Sequence, residues 1–230
     1  MTRISSRTLA AGAVALLILA GGATAQTTSS AVLNSLEVQE LIKRGTPDDH
    51  ARLGVHFAVL AEVYARDAKR HSEMAGAFIA SPTKRTTANS AADHCKRLER
   101  LNLQSAATLR ELAGHHDGLS GGKASAPPRG AAAFEAGKGA PAPTAEELNA
   151  WASKASAPAE HRAVEEYFKS LDKRYTAEAN DHVSMAQAYR GTRAAQAAVH
   201  CDRLVSLLRN SAKEARAAVA GHAASPGTSR

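Results

Sequence analysis

The sequence predicts an all-α fold: an antiparallel four-helix bundle made of two homologous helical hairpins, each preceded by a short helix. Three observations predict it. The first is an internal repeat. A shift of 111 pairs Pro47 with Pro158, His50 with His161, Phe57 with Phe168, Tyr64 with Tyr175, His71 with His182 and Met74 with Met185. A shift of 106 pairs His94 with His200, Cys95 with Cys201, Leu98 with Leu204 and His116 with His222. The second is heptad spacing. His50, Phe57, Tyr64, His71 and Phe78 stand seven apart, with Leu53, Leu60, Asp67 and Met74 on the other seam position, as on the buried stripe of a packed helix. The third is composition: aromatics are only 4% and alanine is abundant, which suits closely packed helices better than sheets.

Residues 1–25 read as a signal peptide. Arg3 and Arg7 precede the apolar run Leu9 to Ala20, and Ala23-Thr24-Ala25 fits a small-x-small cleavage site. The expected product is exported, and in a Gram-negative bacterium it is periplasmic. No later apolar run is long enough to span a bilayer. Removing Arg3 and Arg7, with no acid, lowers the formal charge from +7 to +5. That charge is interspersed, so no nucleic-acid partner is expected.

The first hairpin repeat is expected over 34–116. Asn34 with Glu37 looks like a capping box opening a short helix that Gly45 ends. Thr46-Pro47 starts a long helix to about Ala80, because proline suits the first helical position. Ser81 to Asn89 is polar and reads as a loop, and a second helix runs from about Ser90 to His116. Residues 117–143 are rich in Gly, Ala and Pro and read as a flexible linker. The second repeat is expected over 144–223: Thr144 and Glu147 form its capping box, Pro158 starts a long helix to about Arg190, and a last helix runs from about Thr192 to His222. Residues 224–230 read as a disordered tail.

The duplicated residues are His, Cys, Met and acidic residues, the types that bind soft and borderline metals. With both hairpin loops at one end, His71, His94, His182 and His200 form one layer, with Met74, Met185, Asp67 and Glu178 beside it as ligands or orienting groups. His50, His116, His161 and His222 then form a weaker second layer, where capping and dipole roles compete with metal. Only His56 and His115 have no counterpart in the other copy. In an oxidising compartment Cys95 and Cys201 are expected to form a disulfide between the hairpins, with thiolate ligation as the alternative. That bridge requires both loops to share an end; the long linker also permits inverted hairpins.

No catalytic constellation stands out. His-Glu-x-x-His, a phosphate loop, Gly-x-Ser-x-Gly and the haem signature Cys-x-x-Cys-His are all absent. The expected function is therefore non-catalytic binding of copper or zinc: sequestration, buffering or sensing. The alternative is a structural or partner-binding envelope protein, in which the histidines form a polar core layer and the cysteines a staple. The pattern His-x6-Phe/Tyr-x6-Tyr-x6-His-x2-Met-Ala, followed by His-Cys-x-x-Leu, resembles a group of exported bacterial proteins with alanine-rich helical hairpins and no assigned activity. The resemblance covers both copies but not the linker, and it implies the hairpin fold alone.

Overall fold

The computed structural model describes residues 32–80, 85–122, 143–154 and 158–223, with the side chains of 85–89, 158, 222 and 223 left aside. The expected signal peptide, most of the linker and the tail lie outside the described residues. Among those described, the chain is all-helical: α1 (Ser35–Arg44), α2 (Pro47–Ala80), α3 (Arg85–Leu119), α4 (Ala145–Ser153), α5 (Pro158–Arg190) and α6 (Ala197–Ala223), with no strand.

The helix starts follow local chemistry. Asn34 and Thr144 each close a capping box, with Glu37 and Glu147 reaching back to the cap N–H, so orphan donors at both short-helix starts are satisfied. Gly45 ends α1 in the left-handed region at φ 59°, which glycine adopts at least cost. Two boundaries differ from expectation. Helix α3 begins at Arg85, inside the expected loop, and runs to Leu119, past His116. Helix α6 begins only at Ala197, because residues 191–196 form a turn in which Thr192 Oγ1 accepts from Ala194 N–H.

Side-chain pairs fix the helix directions. His50 meets His116 and Glu62 meets Arg110, so α2 and α3 are antiparallel. Arg190 meets Asp202 and Arg216 meets Asp172, so α5 and α6 are antiparallel. His94 meets Glu214 and Glu111 meets Arg203, which sets α3 against α6, also antiparallel. Tyr64 meets Glu178 and Asp67 meets Arg174, so α5 runs opposite to α2. The α2–α3 loop and the α5–α6 turn therefore lie at opposite ends.

This corrects two expectations. Cys201 follows His200, whose ring lies beside that of His115, 20 residues along α3 from Cys95. The two cysteines are thus separated by about 30 Å at 1.5 Å per residue. Both are free and buried, so the expected Cys95–Cys201 disulfide does not form. For the same reason the expected layer of His71, His94, His182 and His200 is split in two. The linker is long enough to let the second hairpin invert.

The core is Phe57, Tyr64, Phe78, Phe168, Tyr175 and Tyr189 among aliphatic side chains, with alanines where helices approach closely. The short helices cross-brace the two halves. Helix α1 packs on α5 as well as on α2, and α4 packs on α2 as well as on α5.

A histidine-rich end

One end gathers the start of α2, the finish of α3, the finish of α5 and the start of α6. Six of the ten histidines of the chain lie there: His50, His56, His115, His116, His182 and His200. His116 is the hub. Its Nδ1 lies 3.0 Å from Nδ1 of His50, and its Nε2 lies 2.8 Å from the hydroxyl of Tyr189. Its ring stacks on Phe57 at 5.6 Å and meets His115 edge-on at 5.7 Å. The His115 ring is in turn 6.4 Å from that of His200. His56 is near enough to both His116 and His182 for charges on them to repel.

Burial favours the neutral form of His50, His56, His115, His116 and His182. It pushes His116 and His56 down to about 3, with neighbouring histidines adding to the shift, and His182 down to about 4. His50 and His115 are shifted the same way, again chiefly by burial. His56 accepts the Leu33 N–H at Nδ1, which leaves its proton on Nε2. That Nε2 is buried without a hydrogen-bond partner, and so are Nε2 of His115 and Nδ1 of His182 and His200. Nδ1 of His200 stands 3.4 Å from the Glu111 carboxylate, in poor geometry for a hydrogen bond.

At the opposite end His71 is fully buried against Tyr167, neither ring nitrogen bonded, and burial takes it down to about 4. His94 there lies 3.0 Å from Glu214, which also binds Arg97 at 2.7 Å. Burial alone would raise the Glu214 carboxyl; the Arg97 and His94 bonds outweigh it and hold it below the usual range. His200, Arg203 and Glu111 repeat this clamp at the histidine-rich end.

The expected supporting ligands have other partners. Asp67 binds Arg70 and Arg174, and Glu178 accepts from the Tyr64 hydroxyl, so both acids bridge the α2–α5 seam instead of orienting His71 and His182. Met74 and Met185 are core side chains on opposite halves. The expected second layer is also divided: His50 and His116 meet at the histidine-rich end, while His161 lies at the other; the His222 side chain is outside the described ones. Both cysteine thiols are pushed up to about 12 by burial, which disfavours thiolate chemistry.

Sequence reasoning noted that His56 and His115 lack counterparts but placed neither of them, nor Tyr189, in a site. The available signal was disagreement between the copies. Where the first copy has His56 and His115, the second has Tyr167 and Gly221; where the second has Tyr189, the first has Phe78. Inversion brings all three additions to the same end. Among the described residues, no three His, Cys, Asp or Glu side chains stand so as to hold a metal ion, and no helix is long and apolar enough to cross a membrane. No protein family, no curated protein and no solved structure matches the chain.

Proposed function

We propose that this is an exported, non-catalytic metal-binding protein, an antiparallel four-helix bundle of two homologous hairpins that takes up copper or zinc at its histidine-rich end. The observation carrying this reading is the convergence of six histidines from four helices, four of them with a buried, unbonded ring nitrogen. A polar layer that only fixed helix register would be expected to satisfy its polar atoms, because an unpaired buried group costs about 1–3 kcal/mol. Imidazole nitrogens left unpaired in one place are a cost that a bound ion would offset. Uptake requires side-chain rotation, and His115 and His200 are the two of the six that are only partly buried.

The structural alternative draws support from one feature: the hydrogen-bonded chain His50–His116–Tyr189, which is complete without any ion. Native mass spectrometry of the untagged mature chain separates the two readings. After challenge with copper or zinc and removal of excess, the metal reading expects retained ions. A mass unchanged by either metal would leave only the structural reading.

A further inference from the structure

The two ends of the molecule carry equivalent residues from the repeat, yet they are not equally equipped. Each receives one His pair from the open end of one hairpin and one from the loop end of the other. Only one end has gained His56, His115 and Tyr189; the other has Tyr167, Gly221 and Phe78 in their places. We propose, resting on the metal-binding reading, that the chain takes a single ion at this end, in a four-nitrogen site made by His50, His115, His116 and His200, with the ion replacing the hydrogen shared by His50 and His116.

The geometry holds one pair of this set in place, and His115 and His200 turn toward it on uptake, since among the described residues no three side chains already stand so as to hold an ion. The Nδ1 atoms of His50 and His116 face each other at 3.0 Å. Two imidazole nitrogens on a tetrahedral ion, each about 2.0–2.1 Å from it, stand roughly 3.3–3.4 Å apart. The pair must therefore open by only a few tenths of an ångström. His115 and His200 follow in the same row, 5.7 Å from His116 and 6.4 Å from His115 between ring centroids. Nε2 of His115 and Nδ1 of His200 are unbonded. One outer partner is already present, the Tyr189 hydroxyl on Nε2 of His116, while Nδ1 of His200 has to turn away from the Glu111 carboxylate to reach the ion.

The exchange balances without an oxidant or reductant. In one tautomer His50 donates its Nδ1 hydrogen to Nδ1 of His116, and His116 donates from Nε2 to Tyr189. When the ion enters, both Nδ1 lone pairs bind it, and His50 carries its hydrogen on Nε2 instead. No net proton or electron is lost. An all-imidazole set suits zinc and copper and lacks the thiolate that would select copper(I) alone.

The test is titration of the full mature chain with Zn2+ by calorimetry, and with Co2+ by visible absorption. One Zn2+ per chain is expected, with intense tetrahedral Co2+ bands that Zn2+ abolishes. His115→Ala and His200→Ala, at half-buried positions where folding should survive, are each expected to weaken binding at least tenfold. His71→Ala and His161→Ala, at the other end, are expected to leave it unchanged. One-ion binding undiminished in His115→Ala and His200→Ala, or two ions lost one from each end, would overturn this ligand set while leaving metal binding intact. Absence of any uptake by the wild-type chain would overturn the metal-binding reading itself.

Discussion

His71 and His116 are both fully buried histidines, but they stand in opposite situations. Neither nitrogen of His71 has a hydrogen-bond partner, whereas both nitrogens of His116 do. Removing an unsatisfied polar group from a core is favourable; removing one member of a buried chain orphans its partners. His71→Leu is therefore expected to raise the unfolding free energy by about 1 kcal/mol, and His116→Phe to lower it by about 2 kcal/mol by stranding His50 and Tyr189. Urea denaturation of the metal-free variants reads both signs. Equal losses in the two would mean that His71 has a partner after all. The sequence reading ranked these residues the other way, with His71 on the heptad stripe of the stronger layer and His116 at a helix end in the weaker one, because periodicity does not report hydrogen-bond partners.

Helix α2 passes close to α3 at Gly54. A methyl group built there would lie 2.4 Å from Oδ1 of Asp117, next to the His116 hub. Glycine inside a helix costs about 1 kcal/mol relative to alanine, so alanine would ordinarily stabilise α2. Here the carboxylate blocks that gain. Gly54→Ala is expected to give no gain alone and about 1 kcal/mol in an Asp117→Ala background, a coupling that a double-mutant cycle measures. A full gain in the single variant would show that the two helices stand further apart. At this scale the sequence was informative. Both capping boxes, the proline starts of α2 and α5 and the Gly45 stop depend on neighbours within a few residues, and local chemistry places them. The start of α6 was misplaced because its turn is tied by Thr192 bonding to a backbone N–H two residues on, a contact that periodicity does not report.

The whole molecule joins the open end of one hairpin to the loop end of the other. Contacts between the halves match that direction: α3 packs on α6, Asp67 meets Arg174 and Tyr64 meets Glu178. Arg174 has Val63 as its counterpart, so the repeat gives no warning of it. The linker between the repeats reaches either arrangement, which is why the all-helical fold was legible in the sequence and the direction of one half against the other was not. One consequence is global. His56 and His116 are held neutral down to about 3, and His71 and His182 down to about 4, by burial first. The unfolded chain protonates them near 6.5, so it binds more protons below that pH. Their contribution is complete above pH 6.5 and is lost as pH falls toward 4. At pH 5 the metal-free protein is expected to be about 8 kcal/mol less stable than at pH 7.5, comparable with the whole stability of a small domain. Denaturant curves across that range check it, and a flat profile would contradict it.

Only an arrangement with the α2–α3 and α5–α6 connections at opposite ends assembles the six histidines. Ile79 and Val199 are exposed and sit near the α2–α3 loop and the α5–α6 turn, respectively. The native thiols, buried and pushed up to about 12, leave cysteines introduced at these two positions as the reactive ones. The distance between spin labels on Ile79→Cys and Val199→Cys, measured by pulsed electron resonance, is expected to centre at roughly 45 Å. A distribution centred below about 25 Å would put both loops at one end and contradict the arrangement.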